Sequence, residues 1–256
     1  MAQKIRIFIL LVILFLVAVN AWQTRTRVTS WDQSLWVAIY PVNGDASVAA
    51  ADYICCLDKN VFQPIAEFAG EEAKRYGVAL PDPVLITLAP EVASLPPAAP
   101  MGGNLLSVVW WSLKLRYWAL VNDTYHGPTP DARMFVAYFD PATHKELAQS
   151  VGVKEGMIGV VNAFANRKFA ARNNVILLHE FLHTLGATDK YDLATGLPFY
   201  PSGYAAPAAT PLYPQKRAEI MGGAVPVSAT EAVMPANVWQ TMVGEMTATE
   251  IGWLRP

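Results

Sequence analysis

Two histidines and one glutamate lie on a short apolar segment in the last third of the chain. Residues 175–189 read VILLHEFLHTLGATD. On a helix, His179 and His183 are four residues apart and project from the same face, where two imidazoles can hold one zinc ion at about 2.0–2.1 Å each. Glu180 can reach a water on that ion and take its proton. Because burying these groups is costly unless they are paired or bind metal, the segment predicts a catalytic zinc site.

A catalytic zinc site needs a third protein ligand and an open fourth position. Gly186 predicts the end of the helix, since glycine tolerates the left-handed conformation there. Asp189 follows three residues later and is the favoured third ligand, with Asp192 and Glu219 as alternatives. The other two histidines lie in polar loops and are interpreted as solvated: His126 and His144.

The pattern H-E-x-x-H-x-x-G-x-x-D, which begins at His179, resembles the metzincin zinc peptidases. It is most similar to the snapalysin-like variant, in which aspartate replaces the usual third histidine. The resemblance implies Zn²⁺ as the cofactor, with His179, His183 and Asp189 as ligands and Glu180 as general base.

A second motif supports this resemblance. Residues 218–223 read AEIMGG, which is similar to the tight methionine turn beneath the metal of metzincins, with Met221 as the matching methionine. In that family an edge strand before the catalytic helix pairs with the extended substrate, and residues 157–164 occupy the corresponding place. The resemblance covers about residues 134–254.

The activity implied is hydrolysis of peptide bonds in a peptide or protein substrate. The alternative is a non-catalytic, exported or envelope protein that binds zinc. Four tyrosines in the long loop 189–214 could each stabilise an oxyanion, and the sequence does not choose among them: Tyr191, Tyr200, Tyr204 and Tyr213.

The first 21 residues predict export. Lys4 and Arg6 precede an apolar run over residues 7–19, and Ala21 could end a cleavage site. The run is near the lower length limit for a spanning helix. It is therefore interpreted as either a signal peptide or an N-terminal membrane anchor, and the remainder is expected to be periplasmic or extracellular.

Composition limits the other possibilities. The chain has 256 residues, of which 53% are hydrophobic and 16% charged, and its formal net charge is -2. The absence of a basic excess argues against a nucleic-acid partner. Residues 22–256 suffice for one catalytic domain, with room for two lobes around a cleft. Cys55 and Cys56 are adjacent, so a bridge between them would be strained. We expect both to be buried in an apolar helix.

Hydrophobic periodicity and turn residues predict an α+β fold: a mixed sheet of four or five strands with the catalytic helix beneath it. Residues 104–120 carry three tryptophans and fit either a helix at a membrane interface or one that packs over the core or lines a cleft. Thr247 and Glu250 form a capping-box pattern that predicts a short C-terminal helix. The predicted strands are 34–40, 84–88, 134–139 and 157–164, and the other predicted helices are 46–76 and 174–185.

Overall fold

The computed structural model describes residue 6, residues 29–100 and residues 104–255. The predicted export segment, residues 1–21, lies outside this part of the chain except for Arg6. Among the helices of the described residues, none is long and apolar enough to cross a membrane.

A five-stranded sheet forms the centre of the fold, in the spatial order β2-β1-β3-β5-β4. The first four strands of that order run parallel, and only β4 pairs antiparallel, with β5. The mixed sheet with helices packed on it confirms the predicted α+β class. The strands are β1 (Leu35–Asn43), β2 (Val84–Leu88), β3 (Ala132–Phe139), β4 (Val151–Val153) and β5 (Ile158–Phe164).

Both faces of this sheet are covered, as expected for mostly parallel strands. Alternate residues of β3 enter two separate cores: Met134 and Val136 on one face, Phe135 and Ala137 on the other. The helices α1, α2 and α4 pack on the first face and α3 packs on the second. The helices are α1 (Val48–Cys55), α2 (Gln63–Arg75), α3 (Leu105–Val121), α4 (Ala170–Leu185) and α5 (Glu245–Glu250).

The single helix predicted over 46–76 is two helices. The short 3-10 helix Lys59–Phe62 separates them, and the Asp58 carboxylate caps it by accepting the Asn60 amide at 2.7 Å. Pro64 stands in the first turn of α2, where its missing N–H costs no helix hydrogen bond. The prediction for Cys55 and Cys56 is also wrong: both are exposed, because α1 ends there on its solvent side.

The strand expected at the sheet edge, residues 157–164, is not the edge. A tight turn at Met157 (φ 50°) and Gly156 (φ 102°) folds β4 back onto β5, so that β4 becomes the outermost strand. At the C-terminus, α5 begins at Glu245, and Thr247 lies inside it rather than capping it. Two pairs of two-residue strands complete the fold: β6 (Ala218–Glu219) with β9 (Thr241–Met242), and β7 (Val225–Pro226) with β8 (Ala232–Val233).

Helix α4 begins at Ala170, four residues before the predicted start, and ends at Gly186 (φ 107°) as expected. Two buried asparagines fix its first turns. The Asn173 amide donates to the Phe164 carbonyl (3.0 Å), and the Asn174 amide donates to the Val61 carbonyl (2.7 Å). These bonds set the rotation of α4 relative to β5, and hence the direction of its histidines.

The edge strand β4 lies almost in contact with the backbone of α4. A methyl group at Gly152 would fall 2.3 Å from the Glu180 carbonyl oxygen and 2.6 Å from His183 Cβ. Only a residue without a side chain allows this approach.

We therefore expect Gly152→Ala to push β4 from α4 and to lower the free energy of unfolding by about 1–3 kcal/mol. Gly70→Ala is the matched control, because its new methyl group would meet nothing closer than 3.6 Å. It lies in α2 and should raise stability by about 0.5–1 kcal/mol. Denaturant unfolding of both variants measures the difference, and equal effects would contradict this close approach.

Candidate metal centre

Three side-chain atoms with lone pairs converge at the C-terminal half of α4. The distances are 3.1 Å from His179 Nε2 to His183 Nε2, 3.1 Å from His179 Nε2 to Asp189 Oδ1, and 3.2 Å from His183 Nε2 to the same oxygen. Ligands at about 2.0–2.1 Å from a tetrahedral zinc ion are separated by about 3.3–3.4 Å. The triangle is therefore close in size to one face of a zinc coordination tetrahedron.

Backbone carbonyls fix the tautomers of both imidazoles. His179 Nδ1–H donates to the Ile220 carbonyl at 2.9 Å, and His183 Nδ1–H donates to the Ala187 carbonyl at 2.8 Å. A neutral imidazole that donates through Nδ1 presents a lone pair at Nε2. Both Nε2 atoms then face each other and a carboxylate oxygen, an arrangement that a cation stabilises.

Burial and neighbouring charges shift the pKa values of the residues in this cluster. Burial alone would raise the pKa of Asp189, but the contacts of its carboxylate with the His179 and His183 rings outweigh burial and hold that pKa well below its usual range. Burial opposes ionisation of His183, yet the nearby carboxylates of Asp189 and Glu180 raise its pKa. Asp189 is therefore an ionised carboxylate, the form that binds metals.

Glu180 is the one carboxylate beside this cluster that does not join it. It is 6% exposed, and burial raises its pKa, while the nearby His179 and His183 partly oppose the rise. Its Oε2 atom is buried and accepts no hydrogen bond from the described residues. A carboxylate with a free buried oxygen is suited to accept a proton from a ligand in the adjoining cavity.

The two alternative third ligands have other structural roles. The Asp192 carboxylate accepts the amides of Ala194 (2.7 Å) and Thr195 (3.1 Å) and so closes a turn in the loop. Glu219 is fully buried and satisfied by three donors, the amides of Gly222 and Gly244 and the hydroxyl of Thr247. Of the three acids considered, Asp189 is the one placed with the histidines.

Met221 is fully buried in the short 3-10 helix Ile220–Gly222, whose turn ends at Gly223 (φ 74°). This turn is bonded to both sides of the cluster. The Ile220 carbonyl accepts from His179, and the Met221 carbonyl accepts the amide of Lys190 at 2.9 Å. The turn therefore positions a histidine and the loop that carries the aspartate.

An ion pair between a buried lysine and a half-buried glutamate holds that loop from the other side. The Lys190 side chain is 2% exposed and donates to Glu250 Oε2 (2.7 Å) and the Thr188 carbonyl (3.0 Å). The other Glu250 oxygen accepts the Thr188 hydroxyl at 2.6 Å. The sequence does not predict this contact between Lys190 and Glu250. Its one signal is the capping-box pattern at Thr247 and Glu250, which predicts a helix start instead.

Two cavities meet at the cluster, with volumes of about 940 and 490 Å³. His179, Glu180 and Tyr191 line both, together with residues 148–150. The larger extends towards residues 95–100 and Trp111, and the smaller extends towards Ile176 and residues 222–224. The cluster thus lies within a cleft that continues in two directions.

Among the four tyrosines of the loop, Tyr191 lies at the cluster. Burial and the charges of Asp189 and Glu180 raise its pKa to about 12, so its hydroxyl stays protonated. Tyr204 and Tyr213 are bonded to each other through their hydroxyls (2.8 Å), and the Tyr200 hydroxyl donates to a loop carbonyl.

No protein-family model matches the sequence, and no curated protein matches it. Among solved structures, the chain is similar to wild-type OgpA from Akkermansia muciniphila, with a TM-score of 0.34 and 11% sequence identity. The alignment covers 84% of this chain and 59% of that chain. A likeness of this size supports no conclusion about fold or function.

The Glu250 contact gives a pH-dependent prediction. Burial would raise the pKa of Glu250, but the hydrogen bonds from Lys190 and Thr188 lower it. The stabilisation is therefore present above the unfolded pKa of about 4.3 and is lost as pH falls through the lower folded value. Glu250→Gln should cost about 1.5–3 kcal/mol at pH 7, and this difference from wild type should shrink in acid.

The control is Glu245→Gln, on the exposed side of the same helix, which should change stability by less than about 0.5 kcal/mol. Urea unfolding from pH 3 to 7 gives the free energy of unfolding of the wild type and of both variants. A cost of Glu250→Gln that is independent of pH would show that the charge of Glu250 does not stabilise the loop.

Proposed function

We propose that the chain is a zinc-dependent peptidase. The observation that carries the proposal is the convergence of His179 Nε2, His183 Nε2 and Asp189 Oδ1 within 3.2 Å of one another, beside a buried glutamate and in a cleft. Two imidazoles and a carboxylate are ligands that zinc accepts, and three protein ligands leave the fourth position that a catalytic zinc site needs.

Zinc bound there would polarise a scissile carbonyl and lower the pKa of a coordinated water. The protein supplies the remaining steps. Glu180 takes a proton from the attacking water and delivers it to the departing amine, and its raised pKa favours the first of these transfers. Tyr191 keeps its proton at neutral pH and donates a hydrogen bond to the oxyanion that forms on the carbonyl.

Among the described residues, no strand pairs with the outer edge of β4, which supports extended binding of a peptide there. This strand is the last in the sheet order, and its Gly152 lies directly against α4 at Glu180 and His183. An extended peptide that adds to this edge through backbone hydrogen bonds would pass across the cluster. Because cavities open on both sides of Glu180, the substrate can continue in both directions, which favours cleavage inside a chain.

The first test concerns the ligands. His179→Ala and His183→Ala should lose stoichiometric zinc, and Asp189→Ala should weaken zinc binding by more than the roughly 10–100-fold seen for changes outside the ligands themselves. Asp192→Ala is the matched control and should retain zinc. Metal content and chelator competition on folded proteins give the result. Loss of zinc in Asp192→Ala but not in Asp189→Ala would refute this ligand set.

The second test separates proton transfer from metal binding. Glu180→Ala should keep zinc, because no ligand changes, and should lose about 10²–10⁴-fold in kcat. Hydrolysis of peptides blocked at both ends measures the rate and also tests cleavage inside a chain. A wild-type protein that holds zinc and cleaves no peptide would instead support the exported, non-catalytic zinc-binding protein.

A further inference from the structure

The tryptophan-rich helix α3 has no part in the peptidase mechanism proposed above, but it holds a neighbouring segment in place. It buries Trp111 and Leu115 against the sheet, and two of its indoles hold the proline-rich segment that precedes it. Trp111 Nε1–H donates to the Pro97 carbonyl at 2.9 Å, and Trp118 Nε1–H donates to the Ser94 hydroxyl at 3.0 Å. The Ser94 hydroxyl donates in turn to Asn122 Oδ1 at 2.6 Å.

This segment forms one wall of the larger cavity. Residues 95–100 read LPPAAP, and all six line the cavity, together with Trp111 and the β-strand residues Ala137, Phe139 and Val160. Away from the cluster of His179, His183 and Asp189 and from Glu180, the described residues of this lining carry no charged side chain. Its polar side chains there are Gln149, Ser150 and Asn162, and the Asn162 amide already donates to the carbonyls of residues 148 and 149. The arm of the cavity between the proline-rich wall and the side chains of Ala137, Phe139 and Val160 is therefore apolar.

The wall is also poor in hydrogen-bond donors. Three of its six residues are prolines, which have no backbone N–H. One of its acceptors, the Pro97 carbonyl, already accepts the indole N–H of Trp111. A ligand in this arm can be recognised by shape and apolar contact but finds few backbone N–H donors on the wall. A charged side chain that left water here would lose hydration without compensation.

We propose that this arm is a subsite for a large, uncharged apolar side chain of the substrate, such as leucine or phenylalanine, close to the scissile bond. The inference rests on the proposed peptidase function and names the substrate class for the same cleft. A subsite that buries one such side chain typically favours it over a charged side chain of similar size by about 10–100-fold in kcat/KM.

The test uses the full chain and blocked peptides that differ at one position, scanned over three residues on each side of the cleaved bond. Leu or Phe at one of these positions should give a kcat/KM about 10–100-fold above Lys or Glu. The same peptides are measured for binding to the Glu180→Ala protein, which reports on the subsite without turnover. Equal values for apolar and charged peptides in both measurements would overturn the inference.

A designed charge tests the location. Ala99 is exposed on the wall, so Ala99→Asp should fold normally and should lower the apolar-over-lysine ratio by about fivefold, the effect of a partly exposed ion pair. Ala51→Asp on the exposed side of α1, outside the cavity, should leave the ratio unchanged. Identical ratios in the Ala99→Asp and wild-type proteins would remove the subsite from this wall.

These outcomes separate the two proposals. Apolar preference in binding without any hydrolysis would support the subsite and reject the peptidase function. Hydrolysis without apolar preference would support the peptidase function and reject the subsite.

Discussion

Three electron-pair donors held within 3.2 Å of one another are the constraint on which the rest of this structure depends. Two Nε2 lone pairs and an ionised carboxylate at this spacing repel unless a proton or a metal ion lies between them. The protein keeps them together by fixing each Nδ1–H on a backbone carbonyl, one from residue 220 and one from residue 187. Holding these donors together costs free energy, and a bound metal ion would offset that cost by attracting all three.

The aspartate requires the most support because it lies on a loop rather than on α4. One turn of helix fixes the spacing of His179 and His183, whereas Asp189 depends on distant parts of the chain. The Met221 carbonyl accepts the backbone amide of Lys190, the residue after Asp189, and the Glu250 carboxylate pairs with the Lys190 side chain. Glu219 in turn joins the methionine turn to the start of α5. The C-terminal segment is therefore part of the support of the site, although it contributes no ligand.

The sequence predicted what depends on local periodicity and missed what depends on distant contacts. The helix that places His179 and His183 on one face, the helix end at Gly186 and the strand 84–88 are predicted correctly, because neighbouring residues determine them. Cys55 and Cys56 were expected to be buried because they are apolar, but the exposure of a helix end depends on tertiary packing. Likewise, the Thr247 and Glu250 pattern fits a local cap, and only the folded chain brings Lys190 close enough to compete for Glu250.

The position of β4 shows how a short hairpin determines the geometry of the cleft. If β5 were the edge, an added peptide strand would lie one strand spacing, about 4.8 Å, from β5. The turn at Gly156 places β4 there instead and moves the free edge outward by that distance, over the face of α4 that carries Glu180 and His183. The absence of a side chain at Gly152 lets this edge approach the helix closely. In the proposed function, a peptide on β4 would thus be held at a fixed distance from the cluster of His179, His183 and Asp189, between the proline-rich wall of residues 95–100 and the methionine turn.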